Sequence, residues 1–238
     1  SYFNTITRPA MTHLADAFPQ RAANFSFDRM VARSAFTPVA DDAYTIHALM
    51  QEELQRREKE ENEDLFRKIH RHLFEYYRDK AQESDTRNLE NVFQSIELAL
   101  KHAGRVGAEE YAAYLIDVRS HLNFHNDDGF LMRAYAEAMS LLTSDPRADA
   151  EQIISISNNQ AVQELPDGNL AAAKETLKQL SEAVTLGAPG DQLASIIVHH
   201  NYALSLGISG FIDDSLRAMD AVYAVLPDRL RTESAISP

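Results

Sequence analysis

The chain has 238 residues, of which 45% are hydrophobic, and it contains only 8 Gly and 8 Pro and no Cys. This composition supplies enough apolar surface for a sizeable core and few of the turn residues that many short strands require. The 23 basic and 36 acidic side chains give a net charge of −13, which disfavours nucleic acid as a partner because phosphates are bound by clustered Lys and Arg. The absence of Cys excludes disulfides and thiolate metal sites.

The sequence predicts an acidic, soluble protein without a membrane span. No run approaches the ~20 apolar residues that cross a bilayer. The chain begins Ser-Tyr-Phe, without Met and without a signal peptide. A cytoplasmic location is the leading expectation, and a periplasmic or secreted one stays open for a chain whose signal was trimmed.

Residues 1–42 contain three Pro among six aromatic side chains, which predicts an irregular N-terminal arm with short helices. Because disordered segments are poor in aromatic residues, we expect this arm to pack on the rest of the protein. Asp41 and Asp42 can cap a helix, so we predict that a helix begins at Ala43 and continues through the charged run QEELQRREKEENED. We assign residues 43–227 to a helical domain and residues 228–238 to a tail.

The rest of the chain repeats its apolar residues at intervals of three and four, which predicts helices and no sheet. A first stripe is formed by Leu65, Ile69, Leu73 and Tyr76 and is widened by Phe66, Phe74 and Tyr77. Further helices are predicted over 89–103, 109–124, 130–142, 151–165, 170–186, 192–206 and 211–226. The breaks between them are short, so consecutive helices should be antiparallel neighbours.

A recurring frame of Gly and Pro runs through the later helices. Gly129 precedes Pro146 by seventeen residues, Gly210 precedes Pro227 by the same interval, and Gly168 begins a similar helix. In the segment HHNYALSLGISGFIDDSLRAMDAVYAVLP, a small residue, Ala203, lies in the first helix and Gly210 lies at the turn. The segments SNNQAVQELPDGNLAAAKETLKQL and VRSHLNFHNDDGFLMRAYAEAMSLLTSDP follow related patterns.

Over about residues 115–227 this frame resembles the tetratricopeptide repeat, in which two helices meet at a Gly-containing turn. The resemblance implies an all-α fold of antiparallel helical hairpins, stacked as an α-solenoid with a right-handed superhelix. It also implies a protein-interaction scaffold, because such arrays extend a concave binding surface. A closed helical bundle is the alternative architecture.

The resemblance places particular first-helix residues on the concave groove, where Asn, Arg and His can hydrogen-bond a partner peptide. These partner-binding candidates are Arg119, Asn123, Asn126, Asn158, Val162, Ile197, His200 and Leu204. The competing interpretation is that they are ordinary solvated or inter-helix side chains.

A second constellation consists of Asp117, His121 and His125 at helical spacing. Two His at i and i+4 can bind one metal ion, but the Glu of a zinc hydrolase is missing between them, and His125 continues the apolar stripe of its helix. We therefore expect no resident metal or cofactor and assign no catalytic residue. A helical-bundle metal protein or enzyme centred on these three residues is the alternative function. A homo-oligomer whose arm docks into a neighbouring copy is a third hypothesis.

Overall fold

The computed structural model describes residues 5–22, 26–32, 36–46, 62–83, 89–124, 128–166, 168–186 and 192–226, together with Arg56 and Glu60. Its contacts divide the chain into two compact units, Ser1–Asp128 and Gly129–Pro238. Pro227, the 228–238 tail and most of the charged run lie outside the described residues. Within that run, Arg56 and Glu60 are helical and form an i,i+4 ion pair at 2.7 Å.

The first unit begins with three short helices and a small antiparallel sheet. The helices are α1 (Arg8–Ala17), α2 (Pro19–Ala22) and α3 (Phe27–Val31), and the strands are β1 (Thr5–Thr7), β2 (Phe36–Ala40) and β3 (Ala43–Ile46) in the order β1-β3-β2. The predictions of a helix beginning at Ala43 and of no sheet are therefore wrong. Asp41 and Asp42 form the turn of a hairpin instead of a helix cap, with Asp42 at a φ of 54°, which Asp tolerates better than most residues.

Arg8 connects the separate pieces of this N-terminal part. Its guanidinium donates to Asp42 at 2.8 Å and to Asp28 at 2.7 Å, and it lies 4.6 Å from the centre of the Phe27 ring. The same guanidinium lowers the pKa of the Asp28 carboxyl. One side chain thus holds the start of α1 against both α3 and the hairpin turn.

Three longer helices follow in the described part of the first unit, namely α4 (Glu63–Glu83), α5 (Leu89–Val106) and α6 (Ala108–Phe124). On α4 the buried residues are Phe66, His70 and Tyr77, so the buried line is rotated by about one residue from the predicted stripe. The N-terminal arm packs on this helix as expected, because the His13 ring lies 4.9 Å from Tyr76 and the Phe18 ring lies 5.2 Å from His72. The buried stripe of α6 consists of Tyr111, Leu115, Val118 and Leu122.

The second unit is built from α7 (Asp128–Ser144), α8 (Ala150–Glu164), α9 (Leu170–Ala183), α10 (Gln192–Ile208) and α11 (Ile212–Val225). Consecutive helices from α8 to α11 pack on one another, and the short connections between them favour an antiparallel arrangement. Gly168 and Gly210 adopt φ values of +83° and +86° at two of these turns, a backbone conformation that Gly enters without a steric penalty. The predicted helices and helical hairpins are confirmed in this unit. Gly129 differs from the other two, because it lies inside the first turn of α7.

Small residues allow the hairpin helices to approach closely. Ala173 and Ala203 are fully buried, as the repeat frame predicts. The Ser215 hydroxyl on α11 donates to the Ala203 carbonyl oxygen at 2.7 Å, and a Cβ added at Gly207 would meet the same hydroxyl oxygen at 3.1 Å. The α10 and α11 backbones are therefore too close at this level to admit a larger side chain without movement.

Candidate functional site

The exposed face of α10 is mostly apolar. Leu193, Ile197, Leu204 and Ile208 share this face at intervals of four and seven residues, and they are 71%, 43%, 42% and 57% exposed. His200, also exposed, lies among them. We refer to these five residues as the α10 stripe. No Asp, Glu, Lys or Arg occurs anywhere in this helix. Surface helices normally carry charges on the solvent side, so this uncharged face departs from the usual pattern.

The opposite side of α10 fixes the helix in the unit. Val198, Ala203 and Leu206 are buried there. Two polar contacts fasten α10 to the end of α9: the Ser195 hydroxyl donates to the Thr185 carbonyl oxygen at 3.1 Å, and His199 Nε2 lies 3.1 Å from the Val184 carbonyl oxygen. The stripe is therefore presented by a helix whose other face is locked by packing.

A side-chain amide pair links α8 to α10. Asn201 Nδ2 donates to Asn158 Oδ1 at 3.0 Å, and Asn158 is only 4% exposed. Val162 lies one helical turn beyond Asn158, and Leu204 lies one turn beyond Asn201. Since α8 and α10 are each antiparallel to α9, Val162 and Leu204 extend to the same side of the amide pair. Val162 is 36% exposed on α8.

The predicted partner-binding residues fall into three groups. Val162, Ile197, His200 and Leu204 are exposed, and three of them belong to the α10 stripe. Asn158 is a correction, because its amide is buried in the contact with Asn201 and is not available to a ligand.

The remaining candidates belong to the first hairpin of the frame. Arg119 is exposed on α6, with its guanidinium 3.3 Å from the Ile116 carbonyl oxygen. Asn123 lies in α6, but its side chain is outside what the structure describes, and Asn126 lies outside the described residues. A groove that combines these three with α8 and α10 stays a prediction.

The alternative metal constellation is only partly described. Asp117 and His121 are exposed on α6, one turn apart, and His125 lies outside the described residues. Among the residues that the structure describes, no three His, Cys, Asp or Glu side chains are grouped to hold a metal ion. Asp117 and His121 alone would offer a metal ion two ligands, which is fewer than such a group of three.

The sequence analysis missed a histidine pair in the first unit, of which His70 is buried and His102 is partly buried. His70 Nδ1 on α4 lies 2.8 Å from His102 Nδ1 on α5, so one ring donates and the other accepts. The His102 ring is stacked on Tyr77 at an interplanar angle of 5°, and Phe66 contacts His70 edge to face. Burial lowers the pKa of His70 to about 4, and the nearby Arg105 and Lys101 charges act in the same direction. Burial also lowers the pKa of His102.

The sequence contains only part of the information needed to predict this pair. His70 continues the line of Phe66 and Tyr77 at helical spacing, which indicates a core position. Its partner is 32 residues away on another helix, and no local pattern connects the two residues.

Comparisons with known proteins give a structural likeness but no sequence match. No family model matches the sequence, and no curated protein matches it. The fold is similar to a solved structure from Podosopora anserina, described as nearly identical TPR-like repeats of a kinesin light chain, with 11% sequence identity and a TM-score of 0.42. The match covers 74% of this chain and 93% of that one. The helical-hairpin fold described above rests on this chain's own helices.

No helix in the described part of the chain is both long and apolar enough to cross a membrane.

Proposed function

We propose that this protein is an interaction scaffold and that the α10 stripe, with Val162 beside it, binds a segment of another protein. The observation that carries the proposal is the charge-free, exposed apolar face of α10. Exposure of such a face to water is unfavourable, and the free energy falls when a partner covers it. Completing the burial of a half-exposed Leu or Ile yields about 1 kcal/mol, so the four aliphatic side chains of the stripe supply roughly 4 kcal/mol before the cost of association. A burial free energy of this size is typical of a partner that binds reversibly.

The geometry of the stripe limits the partner segment. From Leu193 to Ile208 the helix rises roughly 22 Å, which matches a helix of about 15 residues or an extended segment of about 7. His200 is the one titratable side chain in the stripe. Its imidazole offers a hydrogen bond to a polar group of the partner and thereby fixes the register of an otherwise apolar contact.

The proposal is tested by removing the stripe without disturbing the core. In the full chain, Ile197→Asp combined with Leu204→Asp places two carboxylates on the exposed face. We expect the captured amount of at least one protein to fall tenfold or more in quantitative affinity purification. A tenfold fall corresponds to a loss of about 1.4 kcal/mol of binding free energy.

Leu89→Asp is the matched control. Leu89 is 57% exposed on α5 in the other unit, so this variant makes the same chemical change away from the stripe. The control should retain the proteins that the double variant loses, and both variants should melt close to the wild type. An identical set of captured proteins for the wild type and the double variant would contradict the proposal.

A further inference from the structure

The helix α11 also exposes an apolar face, distinct from the α10 stripe. Ile212, Leu216 and Tyr223 are 56%, 59% and 47% exposed, and Met219 lies at the spacing that joins them into one line. We refer to these four residues as the α11 face. The side of α11 that packs on α10 is a different one, because it carries the buried Val222 and the hydroxyl of Ser215 bonded to Ala203.

An apolar exposed face is unusual on a surface helix, which normally carries polar and charged side chains toward water. On α11 three large apolar side chains of one face are about half exposed. A contiguous apolar face of this kind tends to associate with another surface. The physical expectation is that another element covers this face.

The charges beside the α11 face indicate which kind of element would cover it. Asp213 lies three residues before Leu216 and Asp220 lies four residues after it, so both carboxylates adjoin the middle of the face. Within the described residues neither Asp213 nor Asp220 forms an ion pair, whereas Asp214 is paired with Arg217, the only basic residue of α11. The face is therefore an apolar line with unneutralised negative charge beside it.

A second copy of this chain is a poor occupant of such a face. Pairing two α11 faces would bring Asp213 and Asp220 of each copy together, in a chain whose net charge is already −13. Like charges across an interface oppose association, and opposite charges favour it. We propose that the α11 face docks a basic amphipathic helix of another protein, with apolar residues at intervals of three and four and Lys or Arg beside them. This site lies on a different helix from the α10 stripe and does not depend on the function proposed for it.

Two synthetic helical peptides test the inference directly. Both carry the same line of Leu residues, one with Lys and the other with Glu beside the line, and their binding to the full chain is followed by fluorescence anisotropy. We expect the Lys peptide to bind at least tenfold more tightly than the Glu peptide, with an advantage that shrinks when the salt concentration is raised to about 0.5 M.

Variants of the protein show which face binds the Lys peptide. Ile212→Ser with Leu216→Ser should weaken the Lys peptide at least tenfold, and Asp213→Lys with Asp220→Lys should shift the preference to the Glu peptide. Ile197→Ser with Leu204→Ser on the α10 stripe should leave both affinities unchanged, which separates this inference from the proposed function.

Three results would overturn the inference. The first is equal binding of the two peptides. The second is Lys-peptide binding that persists in both sets of α11 variants, which would show a diffuse attraction to the acidic chain. The third is a dimer in light scattering that Leu216→Ser dissolves, which would assign the face to a second copy.

Discussion

Ala203→Leu is expected to lower the free energy of unfolding by about 1 to 3 kcal/mol, and Ala173→Leu by a similar amount. Both alanines are fully buried, and at Ala203 the neighbouring helix is held within hydrogen-bond distance through Ser215. A close-packed interior cannot accept three extra carbon atoms without moving helices or forcing side chains away from their preferred rotamers. Urea melts followed by circular dichroism measure the loss.

Ala224→Leu is the control for this prediction. Ala224 is exposed on α11, and Leu is as good a helix former as most residues. We expect its effect to stay within about 0.5 kcal/mol. Small and equal losses at all three alanines would show that the hairpin register is wrong.

Acidification from pH 6.5 to pH 4 is expected to destabilise the first unit by about 3 kcal/mol through His70 alone. The pKa of His70 is lowered from its ordinary 6.5 to about 4, chiefly by burial and then by Arg105 and Lys101. The unfolded chain therefore takes up this proton at a higher pH than the folded chain does. The contribution is complete above pH 6.5 and is lost as the pH falls toward 4. The lowered pKa of His102 adds to the loss in the same direction.

Comparison of variants isolates this contribution from that of the carboxylates, which also titrate toward pH 4. His70→Leu with His102→Leu removes both titrating groups together, so neither imidazole is left buried without its partner. We expect the double variant to lose less stability than the wild type between pH 6.5 and 4. His121→Leu, which removes an exposed His of the same unit outside the pair, is the matched control. Parallel stability curves for the wild type and the double variant would contradict the role of the pair.

The helices of the second unit were predictable because their pattern is local. Apolar residues recur at three and four along each helix, and Gly168 and Gly210 mark turns that require a left-handed backbone. The burial of Ala173 and Ala203 followed from the same frame. Exposure of Ile197, His200 and Leu204 was also predictable, since they lie opposite the buried side of one helix.

The incorrect predictions concern residues whose environment is determined by residues far away in the sequence. Asp41 and Asp42 suit a helix cap and a hairpin turn equally well, and only the pairing of β3 with β1 and β2 selects the turn. Asn158 is as polar as the groove residues it was grouped with, but Asn201, on another helix, satisfies its amide and allows its burial. His70 required His102 in the same way.

Site-specific photo-crosslinking on α10 tests the central claim most directly. A photoreactive amino acid is placed at Leu204 in the full chain, at Val162 in a second variant, and at Leu89 in a third as the control. If the α10 stripe and Val162 form one docking site, the first two positions should be crosslinked to the same protein, and Leu89 should not. Crosslinks of equal yield to that protein from all three positions, or none from Leu204 and Val162, would contradict the account.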